Sequence, residues 1–364
     1  MRVLFGTSRG HVPEQLGGSQ QDMHALLRQF FEQGHGCEAV ATIESGPRLL
    51  AYRTIRRLSG RRFIALKDRR NGYATYRAWY DLVPKAAAAR MDANRPDVVV
   101  ADFRVNDRIW EEALRRDIPT LLRIVSVGAV EQQHPIPRHP LIRVYGNSAF
   151  VASRIRARYG IESPVLYPPI QVDRYRTTRT NPTFVTFFNP IASKGLELVL
   201  EVAALLPHRR FQLVEVARLD AAPLTFLRKR LATLPNVTFY RAAPDVRPFY
   251  SRTVLLLAPS QVAEGFGRVV VEAQASGIPC VARDVGGLGE AVGAGGILLP
   301  ASAGPAEWAE AVESVLGSED VLQTLSSAAT LNVARPEFSL EHHVRQFLDL
   351  AESHISGGRE PASA

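Results

Sequence analysis

Short apolar runs rich in β-branched residues alternate along this chain with longer amphipathic stretches, and that rhythm admits few folds beyond parallel sheets covered by helices. One series of strands is expected at residues 3–5, 38–43, 63–66, 98–101 and 120–125. A second is expected at 184–188, 211–216, 237–240, 254–258 and 280–282. With 364 residues and 46% hydrophobic side chains to bury, two such series argue for two α/β domains, each a doubly wound parallel sheet. The seam lies at Tyr167-Pro168-Pro169-Ile170 and the polar run 174–182, where prolines break both periodicities and charges resist burial. The boundary is set at residue 172, giving domains 1–172 and 173–338. Leu340, Val344, Phe347, Leu348 and Ala351 recur at helical spacing, so 339–355 is expected as a terminal helix packing back across the domains, and 356–364 as a disordered tail with nothing to bury.

No stretch approaches the ~18 to 20 apolar residues of a membrane span, and MRVLFGTSRG has neither a signal-type apolar core nor an Arg-rich transit pattern. A cytoplasmic protein, at most peripheral to a membrane, is expected. Cys37 and Cys280 sit in apolar runs as ordinary core thiols. The net charge of +8 divides into +10 for residues 1–172 and −2 for 173–364. A positive first half suits an anionic partner, either a phospholipid surface or a phosphorylated acceptor. Arg53, Arg56, Arg57, Arg61, Arg62, Lys67, Arg69 and Arg70 concentrate that charge, either as such a surface or as a solvated helix face. Nucleic acid is not an expected partner, because these arginines lack an aromatic-interleaved platform or a binding motif.

The segment 259–279 carries the most chemistry. It follows an apolar strand, and Gly265 and Gly267 let its backbone approach a ligand before a helix begins near Gly267, where free N–H groups favour an anion. Glu264 on the loop and Glu272 within the helix both address the carboxyl ends of the strands, and a carboxylate is a natural partner for a ribose diol. Gly277 caps the helix. No complete G-x-G-x-x-G follows a strand, which disfavours a nicotinamide enzyme, and no Asp-x-Asp pair occurs. His134 and His139 lie in a proline-laced segment without further metal ligands nearby, so no metal site is expected.

The two glutamates separated by seven intervening residues, with the surrounding EGFG, EA and SGIP elements, resemble glycosyltransferase family 4. The resemblance runs from the first strand to about residue 335, strongest in the second domain. It implies a GT-B architecture, two Rossmann-like domains facing a central cleft, with an acceptor-side first domain and a nucleotide-sugar donor site in the second. It implies a retaining, metal-independent transfer from a UDP- or GDP-sugar, a co-substrate with no further cofactor. Front-face attack, with the leaving diphosphate taking the acceptor proton, is the expected mechanism. Glu272 falls on the ribose contact, and Glu264 with the loop Gly265-Phe266-Gly267-Arg268 on the donor sugar. Lys194 falls on the diphosphate lysine. Asn189 stands where the family has an arginine; Arg268 either compensates or is a solvated helix residue. Asp284-Val285-Gly286-Gly287-Leu288-Gly289-Glu290 resembles a second glycine-rich turn. Nucleotide contacts are expected from 242–246, with Asp245 the candidate. Gly17 and Gly18 match the family's first loop, or form a turn with Ser19 as helix cap. His11, His134 and Arg123 are acceptor-side candidates. Asp102 is either an assisting base or a strand-end cap. The other readings are a sugar-nucleotide epimerase or phosphorylase on the same fold, and a degenerate member that binds a nucleotide sugar or a partner without turnover.

Overall fold

The computed structural model describes residues 1–15, 17–44, 47–59, 64–103, 108–131, 135–216 and 219–357. It divides into two compact units, Met1–Pro169 with the C-terminal segment from Leu340, and Ile170–Ser339.

Among the described residues, the first unit holds seven strands: β1 (Arg2–Gly6), β2 (Gly36–Thr42), β3 (Ala65–Asp68), β4 (Ala74–Ala78), β5 (Val98–Asp102), β6 (Thr120–Ile124) and β7 (Ile142–Gly146). Their order is β3-β4-β2-β1-β5-β6-β7, all parallel except β3, which runs antiparallel to β4. Both faces of β1 are buried: Val3 and Phe5 join Leu27, Phe30 and Phe347 on one side, and Leu4 joins Val99, Ala101 and Ile109 on the other. That double burial is why the central strands read as continuous apolar runs. The helix Leu340–Gly357 belongs to this unit and sets Phe347 on Phe30, ring centroids 5.3 Å apart. Strands β4 and β7 were not foreseen in the sequence.

The second unit holds β8 (Phe184–Phe188), β9 (Arg210–Val214), β10 (Val237–Tyr240), β11 (Thr253–Ala258), β12 (Cys280–Arg283) and β13 (Gly296–Leu299), in the all-parallel order β10-β9-β8-β11-β12-β13. Strand β13, the one unforeseen strand of this sheet, follows a glycine-rich turn. Trp308, fully buried on the helix Pro305–Leu316, packs with Val199, Leu213 and Leu257 in the core on one face. Strand order reverses between β8 and β11. Open α/β sheets place ligands beyond the carboxyl ends of their strands at such a reversal, and the loops leaving β8 and β11 carry Lys194 and Glu264.

Candidate functional site

Three loops leave the carboxyl edge of the second sheet and lock together. The chain leaves β8 through Asn189 at a φ of 62°. Asparagine tolerates this left-handed backbone better than most residues, and its N–H donates to the Val214 carbonyl at 2.8 Å. A short turn, Ala192–Lys194, ends at Gly195 with φ of 93°. A Cβ on Gly195 would stand 2.3 Å from the Pro259 carbonyl oxygen, so only glycine brings this turn so close to the loop after β11. Gln261 N–H donates to Ser193 O at 2.9 Å across the same contact. The juxtaposition sets the Lys194 Nζ on Glu264 Oε1, and Ser260 donates its hydroxyl to the same oxygen.

The third loop comes from β12. Glu264 pairs with Gly286 in an isolated parallel bridge, and Gly287 N–H donates to Glu264 O at 2.9 Å. Cβ atoms on Gly286 and Gly287 would lie 2.3 Å from Glu264 O and 2.5 Å from Gly265 O. The second glycine-rich turn is thus a backbone seat for the first.

Beyond Glu264 the chain turns at Gly267, φ 101°, into the helix Arg268–Gln274, which Gly277 ends at φ 63°. Glu272 lies one turn along and accepts from Arg268 Nε at 3.1 Å, while Arg268 Nη2 reaches the Tyr175 hydroxyl at 3.3 Å. Both members of the pair are largely buried, with side-chain exposures of 12% and 16%. Arg268 is therefore held on Glu272 and is not a solvated residue. Burial, followed by the Glu272 charge, pushes the Tyr175 hydroxyl up to about 12.

Other candidates sit elsewhere. The Phe266 ring is buried on Phe338, centroids 5.4 Å apart, so only its backbone can face a ligand. Asp245 is exposed and clasps Arg247, whose hydrogen bonds hold its carboxyl below the usual range. The loop after β10 is pinned by a residue the sequence did not single out: buried Glu215 accepts from the amides of Leu219 at 2.6 Å and Ala242 at 3.1 Å. Ser260 and Gly195 were likewise missed, although a glycine directly after the Lys194 turn was a legible signal.

In the first unit, Gly17 caps the helix Gly18–Glu32 with extended backbone, and Gln20 and Gln21 donate to its carbonyl. Ser19 is not the cap; it lies in the first turn, where its carbonyl and hydroxyl accept from Arg123. Arg123 and Asp102 form a buried ion pair, Nε to Oδ1 at 2.9 Å, and Thr7 donates to Asp102 Oδ2 at 2.9 Å. Asp102, read in the sequence as an assisting base or a strand-end cap, and Arg123, an acceptor-side candidate, are 3% and 5% exposed and tie β5 and β6 to the loop after β1. His11, expected on the acceptor side, is instead a core residue: its Nε2 meets the Tyr73 hydroxyl at 2.7 Å, and burial lowers it to about 3. His134 lies outside the described residues, as do Arg61 and Arg62 of the basic cluster. Among the described residues no three His, Cys, Asp or Glu side chains could jointly hold a metal ion, and no helix is long and apolar enough to cross a membrane.

Two parallel α/β units with this strand order define a GT-B fold, and solved structures of that kind align over nearly the whole chain. A glycosyltransferase from Rickettsia africae aligns with a TM-score of 0.76 at 16% identity, over 97% of this chain and 98% of its own. Anabaena Alr3699/HepE in complex with UDP-glucose aligns with a TM-score of 0.75 at 17% identity, over 97% and 100%. Residues 181–318, the region of the three locked loops, match the model of the Glycosyl transferases group 1 family. Over those residues the chain is similar to this family, and its fold is that of GT-B glycosyltransferases. Among its curated relatives, a D-inositol 3-phosphate glycosyltransferase of Nocardia farcinica is 38% identical over 34% of this chain and 27% of its own length. The protein of the same description from Rhodococcus opacus is 31% identical over 64% and 60%. The chain thus spans less than two thirds of either relative.

Proposed function

We propose that this protein is a retaining glycosyltransferase whose second unit grips a nucleoside-diphosphate sugar of the UDP or GDP type. The observation that carries the reading is the meeting of Lys194 and Glu264 at the reversal of the second sheet, on loops held in place by glycines that admit no side chain. Lys194 is the one basic side chain on the turn after β8, and a diphosphate would compete with Glu264 for its charge. In the transfer the sugar ring gains positive charge and the departing diphosphate negative charge, which Lys194 would stabilise. The leaving phosphate would take the acceptor proton on the face of attack, without a metal. Glu264, released from Lys194, would accept from donor-sugar hydroxyls, and Glu272 from the ribose.

The acceptor we propose is a phosphorylated polyol or another anionic molecule. The net +10 of residues 1–172 favours it, and so do relatives described as acting on D-inositol 3-phosphate. Calorimetric titration with UDP and GDP tests the donor half. Glu272→Ala should weaken nucleotide binding by about 1.5–3 kcal/mol, the range for a hydrogen bond to a charged group. Lys194→Ala should lower kcat more than it weakens binding. Proton NMR of the product, made with D-inositol 3-phosphate as trial acceptor, reads the anomeric configuration. Variants that bind and turn over like the parent would overturn the donor site, and an inverted product would overturn the retaining mechanism.

A further inference from the structure

Arg283, at the end of β12, is 7% exposed, yet among the described residues no carboxylate lies within ion-pair distance of it. Its Nη1 donates to the Ala301 carbonyl, its guanidinium lies 5.9 Å from the Trp308 ring centroid, and its buried Nε has no partner. A buried cation without a counter-charge is costly, and burial lowers this guanidinium from its usual value. Arg283 also lines an open cavity of about 450 Å³, within the size range of small-molecule sites. Gly304 and Pro305 on its wall open the 12-residue helix Pro305–Leu316, whose end is already met by a carboxylate, Gly304 N–H donating to Glu307 Oε2 at 2.7 Å, so the cationic character of the cavity rests on Arg283. The lining also includes Glu197, Glu201 and Gln261, with Arg230 offsetting Glu197 at 3.8 Å.

Part of the lining thus favours an anion and part accepts from hydroxyls. We infer that this cavity is a second ligand site, beside the Lys194–Glu264 pair, that takes the phosphate monoester of a small polyol, with phosphate toward Arg283 and hydroxyls toward Glu201 and Gln261. Ala192, Gly195 and Gln261 line the cavity and belong to the two loops that carry Lys194 and Glu264. An occupant would therefore brace the donor loops from behind.

The test is calorimetric titration of the full chain with glycerol 3-phosphate and with inorganic phosphate, at saturating UDP. Saturable binding is expected, tighter for the monoester than for phosphate. It should persist in Lys194→Ala, measured without UDP, and weaken at least tenfold in Arg283→Gln. Should Arg283→Gln fold poorly, Ser302→Glu on the exposed rim of the cavity places a repelling charge there and should also weaken binding. Absence of saturable binding, or binding lost in Lys194→Ala but kept in Arg283→Gln and Ser302→Glu, would overturn the inference. Phosphate bound as tightly as the monoester would overturn the polyol half.

Discussion

Replacing Gly195 by alanine puts one methyl group where none fits. The new Cβ would lie 2.3 Å from the Pro259 carbonyl oxygen and 2.9 Å from Pro259 Cγ, on a backbone with φ of 93°. Left-handed backbone costs an alanine about 1–2 kcal/mol. Overlap with a carbonyl cannot be relieved by a rotamer change, and overpacking adds about 1–3 kcal/mol. The sum, about 2–5 kcal/mol, should lower the thermal transition of the second unit by roughly 4–20 °C, since each kcal/mol is worth about 2–4 °C in a unit of this size. If the loops move apart instead, the Ser193 to Gln261 hydrogen bond and the Lys194–Glu264 pair stretch with them, and UDP binding should weaken. Differential scanning calorimetry and a UDP titration on parent and variant separate the two responses. A Gly195→Ala protein with unchanged melting and unchanged nucleotide affinity would refute the close contact of these loops.

Asp102→Ala strands Arg123 without its counter-charge, and breaking a buried pair costs about 3–5 kcal/mol; chemical denaturation should show that loss, and a stable variant with reduced turnover would restore Asp102 as a base. His11 is neutral in the fold because burial, then the charges of His24, Arg77 and Arg123, lower it from 6.5 to about 3. Its contribution is therefore complete above pH 6.5 and is lost as pH falls toward 3. In His11→Asn the stability slope across that window should be shallower by up to about 1.4 kcal/mol per pH unit, and identical slopes in urea titrations would contradict the assignment. The helix Pro47–Ser59 exposes Leu50 by 69% and Leu58 by 84%, and Arg53 on the same helix lies 5.7 Å from the Trp79 ring centroid. Anionic vesicles should retain the protein in flotation at low salt and release it at high salt, whereas no retention at low salt would leave only a dissolved acceptor.

Most of the second unit was legible because its strands are mostly apolar and its turns are glycine-marked. Strand β4 was hidden by its composition: Arg77 sits mid-strand, fully buried, donating to the carbonyls of His11 and Val12 and pairing with Glu14 and Asp68. Nothing local announces that, apart from Asp68, the partners of Arg77 lie more than 60 residues back in sequence. Strand β7 follows a proline-laced segment, and β13 emerges from Gly293 to Gly296, where glycines read as loop. The spacing of Glu264 and Glu272 correctly put them on a loop and a helix. It could not reveal that each would be held by a cation, Lys194 for one and Arg268 for the other. His11 looked available because polar residues near glycine-rich loops usually are, and only the tertiary fold buries it and Arg123.

The seating of Gly286 beneath Glu264 and of Gly195 against Pro259 has a bearing on how such a protein can change. Loops that meet backbone to backbone at three strand ends behave as one rigid part. None of them can gain a residue, or trade its glycine for a larger side chain, without displacing the other two. New substrate preferences would then have to be acquired at side chains bordering this clasp, such as Asn189, or in the first unit. Directed-evolution libraries that spare the clasp and vary its border should retain far more folded members than libraries that randomise the glycines themselves.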